Sequence, residues 1–247
     1  MIELNEMKFN GNSAWFVSPD NKYGLSKFPA KKITDGDFSF LAKIKPYWDK
    51  MNPNDKSREG GIIIKNGLHL GLSVIKPDND HVYVKGTIWT IDASLGSDGM
   101  KNVDILVKVN NEDGDLEKEL EVGFSFKKGD KEFSVYCNGT WHSKKYEGTL
   151  LDYSNAWLWI GASNPLESCP EDFMQFYNGE IYNVAIFYKA LDKEEISEIY
   201  DDFQNISKRL KPVCAYDFKK RTPYKILDIT ETGNHLIKFD KEWMSQI

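Results

Sequence analysis

Apolar residues recur at every second position in one run after another of this chain. Phe38, Phe40, Ala42 and Ile44 alternate in this way, as do Val103, Ile105, Val107 and Val109, and the stretches 133–137 and 181–188 follow suit. Alternation of period two puts one set of side chains on a buried face and the other towards solvent or a second sheet. Between the runs stand Asp35-Gly36, Asn66-Gly67, Asp113-Gly114, Gly129-Asp130, Asn138-Gly139 and Asn178-Gly179. These pairs tolerate positive φ and make tight turns. Many short strands with regular turn signals predict an all-β chain, a two-sheet antiparallel sandwich of jelly-roll type. One hairpin is expected from 103–109 to 116–126 through Asn110–Asp115. A second series of strands is expected over 123–141, with turns at Lys127–Asp130 and Asn138-Gly139.

One segment has helical spacing. Ile196, Ile199, Tyr200, Phe203, Ile206 and Leu210 predict a single helix over about 192–209, ending before Pro212. Asp192 is its expected N-cap and Glu195, three residues on, completes a capping box. Lys208 and Arg209 fall in the last turn, where the helix dipole favours them.

Charge and composition exclude several classes. Acidic residues outnumber basic ones 38 to 32 in 247 residues, for a formal net charge of −6. A nucleic-acid partner is therefore not expected, because such binding needs a basic face to neutralise phosphates. Cys137, Cys169 and Cys214 are an odd number without CxxC spacing, and His69, His81, His142 and His235 form no ligand pair, so neither a disulfide framework nor a zinc site is expected. The Asn110–Asp115 turn fails as an EF-hand, because Val109 and Leu120 stand where its first and twelfth ligands would be. The N-terminus carries no visible secretory signal, and no stretch approaches the roughly 18 apolar residues of a membrane span. Membrane insertion is not expected. The expected place is a virion if the chain is phage-encoded, otherwise the cytoplasm or a larger exported protein.

Four motifs together resemble the concanavalin A-like lectin/glucanase superfamily, in its laminin-G-like, pentraxin-like branch. They are Phe9–Pro19, Phe38–Pro46, Phe133–Gly139, and Leu158–Gly161 followed by Phe176–Tyr200. The last is the most specific, its order and spacing holding over 25 residues, and the likeness covers about residues 7–200. The resemblance implies a jelly roll of two packed antiparallel sheets. Cys214–Phe218 and Ile226–Leu236 look like the segment that precedes the family's opening strand, here placed after the closing helix. In one reading residues 1–247 form a single domain, with 211–247 a permuted strand that completes the sheet. In the other, 211–247 begins a second repeat. The first is the expectation, because the second leaves Tyr216, Phe218, Ile226, Leu227, Leu236, Ile237 and Phe239 without a sheet to bury them.

The departures from the family pattern bear on function. Asn10, Ala14 and Asn183 stand where the family usually has Asp, which puts its calcium in doubt; Asn12, Asp20, Asn21 and Asp35 supply oxygen at no diagnostic spacing. No cofactor is expected. The Glu-x-Asp-x-x-Glu strand of the superfamily's glycosidases is absent, as are a nucleophile elbow and a phosphate loop, so the chain is expected not to be an enzyme. Sugar recognition needs flat rings for pyranose C–H faces and polar groups for hydroxyls. The candidate glycan contacts are Tyr47 and Trp48 in a long polar loop, Trp89 within a strand pattern, and Trp141 and His142 after the Asn138-Gly139 turn. Trp15, Trp157 and Trp159 read as strand or core residues. The first functional expectation is a lectin-like binding or structural module on a phage virion, as a capsid decoration, head fibre or tail protein. The alternative is a carbohydrate-binding module of a bacterial glycan-degrading or adhesion system. The partners are accordingly virion proteins or glycans.

Overall fold

The computed structural model of the chain describes residues 8–10, 13–17, 36–54, 58–65, 70–92, 94–95, 99–109, 118–151, 158–162, 175–221, 225–230 and 234–240. Its first strands are β1 (Lys8–Asn10), β2 (Ser13–Val17), β3 (Phe38–Pro46), β4 (Glu59–Lys65), β5 (Leu70–Ile75), β6 (Tyr83–Ile91), β7 (Met100–Lys108) and β8 (Leu120–Lys127). There follow β9 (Glu132–Cys137), β10 (Thr140–Lys145), β11 (Thr149–Leu150), β12 (Leu158–Ile160) and β13 (Asn178–Phe187). After the helices α1 (Lys193–Asp201) and α2 (Ile206–Arg209) come β14 (Cys214–Arg221), β15 (Lys225–Asp228) and β16 (Leu236–Asp240).

The strands form two antiparallel layers. One runs β10-β9-β8-β3-β13-β14, with β1 beside the start of β13. The other runs β15-β16-β2-β12-β4-β5-β6, with β7 and β11 along β6. The β14–β15 pairing joins the two into one hydrogen-bonded path. The expected alternation is realised: Phe38, Phe40, Phe124, Phe126 and Phe133 from the first layer meet Leu72, Val74, Val84, Ile88, Ile105 and Val107 from the second in one core. Phe38 and Phe126 stack with centroids 4.9 Å apart. The Asn138-Gly139 turn joins β9 to β10 with φ of 44° and 81°, both in the left-handed region that a two-residue hairpin of this twist demands.

The first hairpin expected from sequence does not form. β7 pairs with β6, whereas β8 pairs with β3 and β9, so the two strands belong to different layers. The Asn110–Asp115 turn itself lies outside the described residues, as do Asn12, Asp20, Asn21, Asp35, His69, Trp157 and Cys169.

The helical segment packs on the outside of the first layer, over Leu41, Tyr136, Ala185, Phe187 and Ala215. The capping box is present: Glu195 N–H donates to Asp192 Oδ1 at 2.8 Å and Asp192 N–H to Glu195 Oε2 at 3.2 Å. The expected unbroken helix over 192–209 is interrupted. It stops at Asp201, passes through a tight turn at Phe203–Asn205 and resumes as α2. Asp201 and Asp202 place two carboxylates at the negative end of a helix dipole, which disfavours continuation. Asn205 Nδ2 then donates to Asp202 Oδ1 at 2.8 Å, and the turn buries Phe203 and Ile206.

The last strands lie within the layers. β14 pairs with β13 and β16 with β2. Tyr216, Phe218, Ile226 and Leu236 are fully buried, whereas Leu227 points outward. Asp228 is a hub here. Its Oδ1 accepts from Ala215 N–H at 3.1 Å, from Thr230 N–H at 3.0 Å and from the Thr230 hydroxyl at 2.7 Å, and its Oδ2 accepts from Asn234 N–H at 3.3 Å.

Candidate functional site

The two layers differ in what covers their outer faces. Helix α1 closes the first. On the second, strand register sets one row of residues away from the core. Ser73 stands opposite Lys85, Lys85 opposite Leu106, Thr87 opposite Asp104, and Trp89 opposite Asn102. Directly opposed residues of an antiparallel pair share a face. Trp89, Asn102, Thr87, Asp104 and Lys85 therefore project together from β6 and β7.

A polar network holds this row. Glu59 accepts the Ser73 hydroxyl at 2.7 Å and forms an ion pair with Lys85 at 3.2 Å. The Lys85 ammonium also lies 3.9 Å from Asp104. Asp104 Oδ1 accepts the Thr87 hydroxyl, and its Oδ2 accepts from Asn102 Nδ2 at 3.1 Å. The network is graded in depth. The side chains of Glu59 and Lys85 are 7% and 13% exposed, that of Asp104 is 33% exposed, and Asn102 is exposed. At the β4 end the Ala162 main chain passes so close to Gly61 that an added Cβ would stand 2.9 Å from it. Among the described residues, the open part of the face is its β6–β7 half. A buried ion pair is stabilising only when its remaining bonds are satisfied, and Ser73 and Asp104 meet that need here. What reaches solvent is a half-buried indole beside an amide and a carboxylate held in fixed positions.

The five sequence candidates fall in three places. Trp89 lies on the open face just described. Tyr47 directly follows β3 of the other layer and donates its hydroxyl to Glu180 Oε1 at 2.6 Å, while Tyr182 donates to Glu180 Oε2 at 2.9 Å. Burial and this carboxylate push the Tyr47 hydroxyl up to about 12 and raise that of Tyr182 further. Trp48, also a candidate glycan contact, does not reach the surface: only 5% of it is exposed and its ring belongs to the core. The short turn Trp48–Lys50 rolls it inward. Among the described residues its Nε1 has no hydrogen-bond partner. Trp141 and His142 lie on the edge strand β10 of the first layer. Trp141 packs towards the helix and donates from Nε1 to Ser143 Oγ at 2.8 Å; His142 is exposed. The candidates thus do not form one site. Sequence reading missed Glu59, Ser73, Lys85, Thr87, Asn102 and Asp104, which are scattered over four strands; Thr87 and Trp89 share one face of β6, a spacing that was legible.

A cavity of about 190 Å3 lies between α1 and α2, lined by Glu198, Asp202, Asn205 and Arg209 among others. It is smaller than sites for small molecules usually are, and the Glu198–Arg209 ion pair occupies its wall. Among the described residues no three His, Cys, Asp or Glu side chains cluster as metal ligands. Burial pushes the thiols of Cys137, to about 12, and of Cys214 upward, which leaves neither as a ready nucleophile.

No protein-family model and no curated protein matches this sequence. Solved structures do match its fold. A candidate carbohydrate-binding protein from Bacteroides ovatus superposes on 94% of this chain with a TM-score of 0.58 at 14% identity. The CBM40 of a Ruminococcus gnavus IT-sialidase, bound to α2,3 sialyllactose, covers 78% of this chain with a TM-score of 0.50 at 12% identity. These likenesses show the fold. The chain is an antiparallel β-sandwich of jelly-roll type. The jelly roll spans 58% of the Bacteroides ovatus chain and 96% of the CBM40 chain. It also aligns with 26% of the NanB sialidase of Streptococcus pneumoniae, at 18% identity and a TM-score of 0.51.

Proposed function

We propose that this jelly roll is a carbohydrate-binding module that works through the β6–β7 half of its open face. The observation that carries the reading is the placement of Trp89 directly opposite Asn102, with Asp104 fixed beside them by Thr87 and Lys85. An indole offers an apolar face to pyranose C–H groups. An amide and a carboxylate offer partners for the hydroxyls that flank them. The likeness to carbohydrate-binding structures supports this reading over display on a phage particle, which draws no support from the structures compared.

The proposed role is binding without hydrolysis. The sequence holds no Glu-x-Asp-x-x-Glu pattern like that of the superfamily's glycosidases. A glycan array followed by titration calorimetry tests the reading. At least one oligosaccharide is expected to bind and to change the tryptophan fluorescence, with no reducing ends released on prolonged incubation. An array with no hit, together with fluorescence that stays unchanged up to millimolar oligosaccharide, would refute it.

A further inference from the structure

β7 has a strand on one side only: among the described residues it pairs with β6 and with nothing else. The direction of its main chain can be read from the ladder. Val109 N–H donates to Val82 O at 3.0 Å, so the odd-numbered residues of β7 turn their main-chain groups towards β6. The even-numbered residues Asn102, Asp104 and Leu106 turn theirs outward. The Asp104 carbonyl shows this, since it accepts from the exposed side chain of Lys144 at 3.3 Å. Exposed apolar side chains also stand along this edge. Met100 is 40% and Leu106 45% exposed, and Leu95 in the preceding turn is 55% exposed; these are three of the five large apolar side chains that stand out at the described residues. A long strand edge with exposed apolar side chains is a template for pairing.

We propose that β7 pairs antiparallel with β7 of a second copy of this chain, about a two-fold axis through Val103. The outward groups are even-numbered on both copies, so even residues must face even residues and the axis must pass through a residue. An axis through Asp104 sets two carboxylates against each other, which destabilises. An axis through Leu106 leaves Met100 outside the pairing. An axis through Val103 sets Met100 against Leu106 of the second copy, and Leu106 against its Met100. It also sets the Asn102 amide against the Asp104 carboxylate, with no like charges opposed. The strand is complementary to itself, which is what an isologous contact requires, and this argues for a second copy as the occupant. The Asp104 carbonyl oxygen has two lone pairs, so it can keep the Lys144 ammonium on one while the other accepts from the second copy. Edge pairing leaves the Trp89 ring uncovered but brings Asn102 and Asp104 to the seam, so association is measured without sugar and its outcome does not depend on whether that face binds one.

Sedimentation equilibrium of the full chain without sugar, from about 10 μM to about 1 mM, spans the affinities expected of one strand pair. The expected mass rises with concentration from 28.4 kDa towards twice that value. Leu106→Lys sets a charge against Met100 of the second copy and is expected to hold the mass at that of one chain. Leu227→Lys, at an exposed position on β15, is expected to associate like the unaltered protein. Circular dichroism checks that both variants fold. An unaltered chain that stays at 28.4 kDa throughout, or a folded Leu106→Lys variant that associates as well as it does, overturns the proposal.

Discussion

Asp228 donates its main-chain N–H to Nδ1 of His235 at 3.2 Å. Nδ1 can accept only in the neutral ring, with the proton on Nε2. Burial, and then the nearby Lys225, hold His235 below the usual imidazole range, while the Asp228 carboxylate opposes them. The unfolded chain, with its histidine near pKa 6.5, takes up the proton first as the pH falls. Stability from this group is therefore complete above about pH 6.5 and is lost as the pH falls from there towards the lower folded value. His235→Asn retains an acceptor near the Nδ1 position and cannot be protonated. Its unfolding midpoint is expected to fall less than that of the unaltered protein between about pH 7 and pH 5. Parallel curves would show that His235 is not the group responsible.

The Tyr47–Glu180 bond predicts the opposite slope at high pH. A tyrosine raised to about 12 in the fold keeps its proton where the unfolded chain, near pKa 10, has lost it. Its contribution is present below about pH 10 and declines as the pH rises towards 12. Tyr47→Phe removes a hydrogen bond to a charged acceptor and is expected to cost about 1–2 kcal/mol at neutral pH. It is also expected to remove part of the alkaline loss. Urea unfolding at neutral pH and near pH 11 measures both.

Trp89→Ala and Trp141→Ala are expected to separate binding from packing. Loss of a ring that carries a sugar contact is expected to weaken binding by about 2 kcal/mol, roughly thirty-fold. Trp141 lies on the other layer, so its truncation is expected to leave affinity within about twofold and to show in thermal stability instead. Calorimetric titration of both variants with a sugar from the array distinguishes the two outcomes.

Gly86 sits on the core side of β6, where an added Cβ would stand 2.2 Å from Val135 Cγ2 and 3.1 Å from the Phe124 ring. Gly86→Ala is expected to destabilise by about 1–3 kcal/mol through overpacking between the layers. Val135→Ala in the same chain is expected to restore part of that loss, which chemical denaturation of the double variant tests.

Much of this architecture could be read directly from the residues. Phe38–Ile44 alternates because alternate residues face two environments. The Asp192/Glu195 box and the Asn138-Gly139 turn are local chemistry, and all three appear in the structure. The misreadings share a physical origin. β7 and β8 follow one another across a turn-like segment, yet a sandwich can place consecutive strands in different layers, and no local signal distinguishes that crossing from a hairpin. Trp48 sits in polar company along the chain, but a three-residue turn decides where its ring goes. The network from Glu59 to Asp104 depends on register between four strands, information that only long-range pairing supplies.

Phe16 on β2 pairs with Ile237 on β16, nearly the whole length of the chain away. The entropy of closing so long a loop must be met before the contact repays it, so this pairing belongs among the late events of folding. During synthesis β2 and β13 wait for neighbours that leave the ribosome after them. A nascent chain that has not yet released β14–β16 leaves those two strands a partner short. In that interval it is a candidate for capture by chaperones or for mispairing with another unfinished copy.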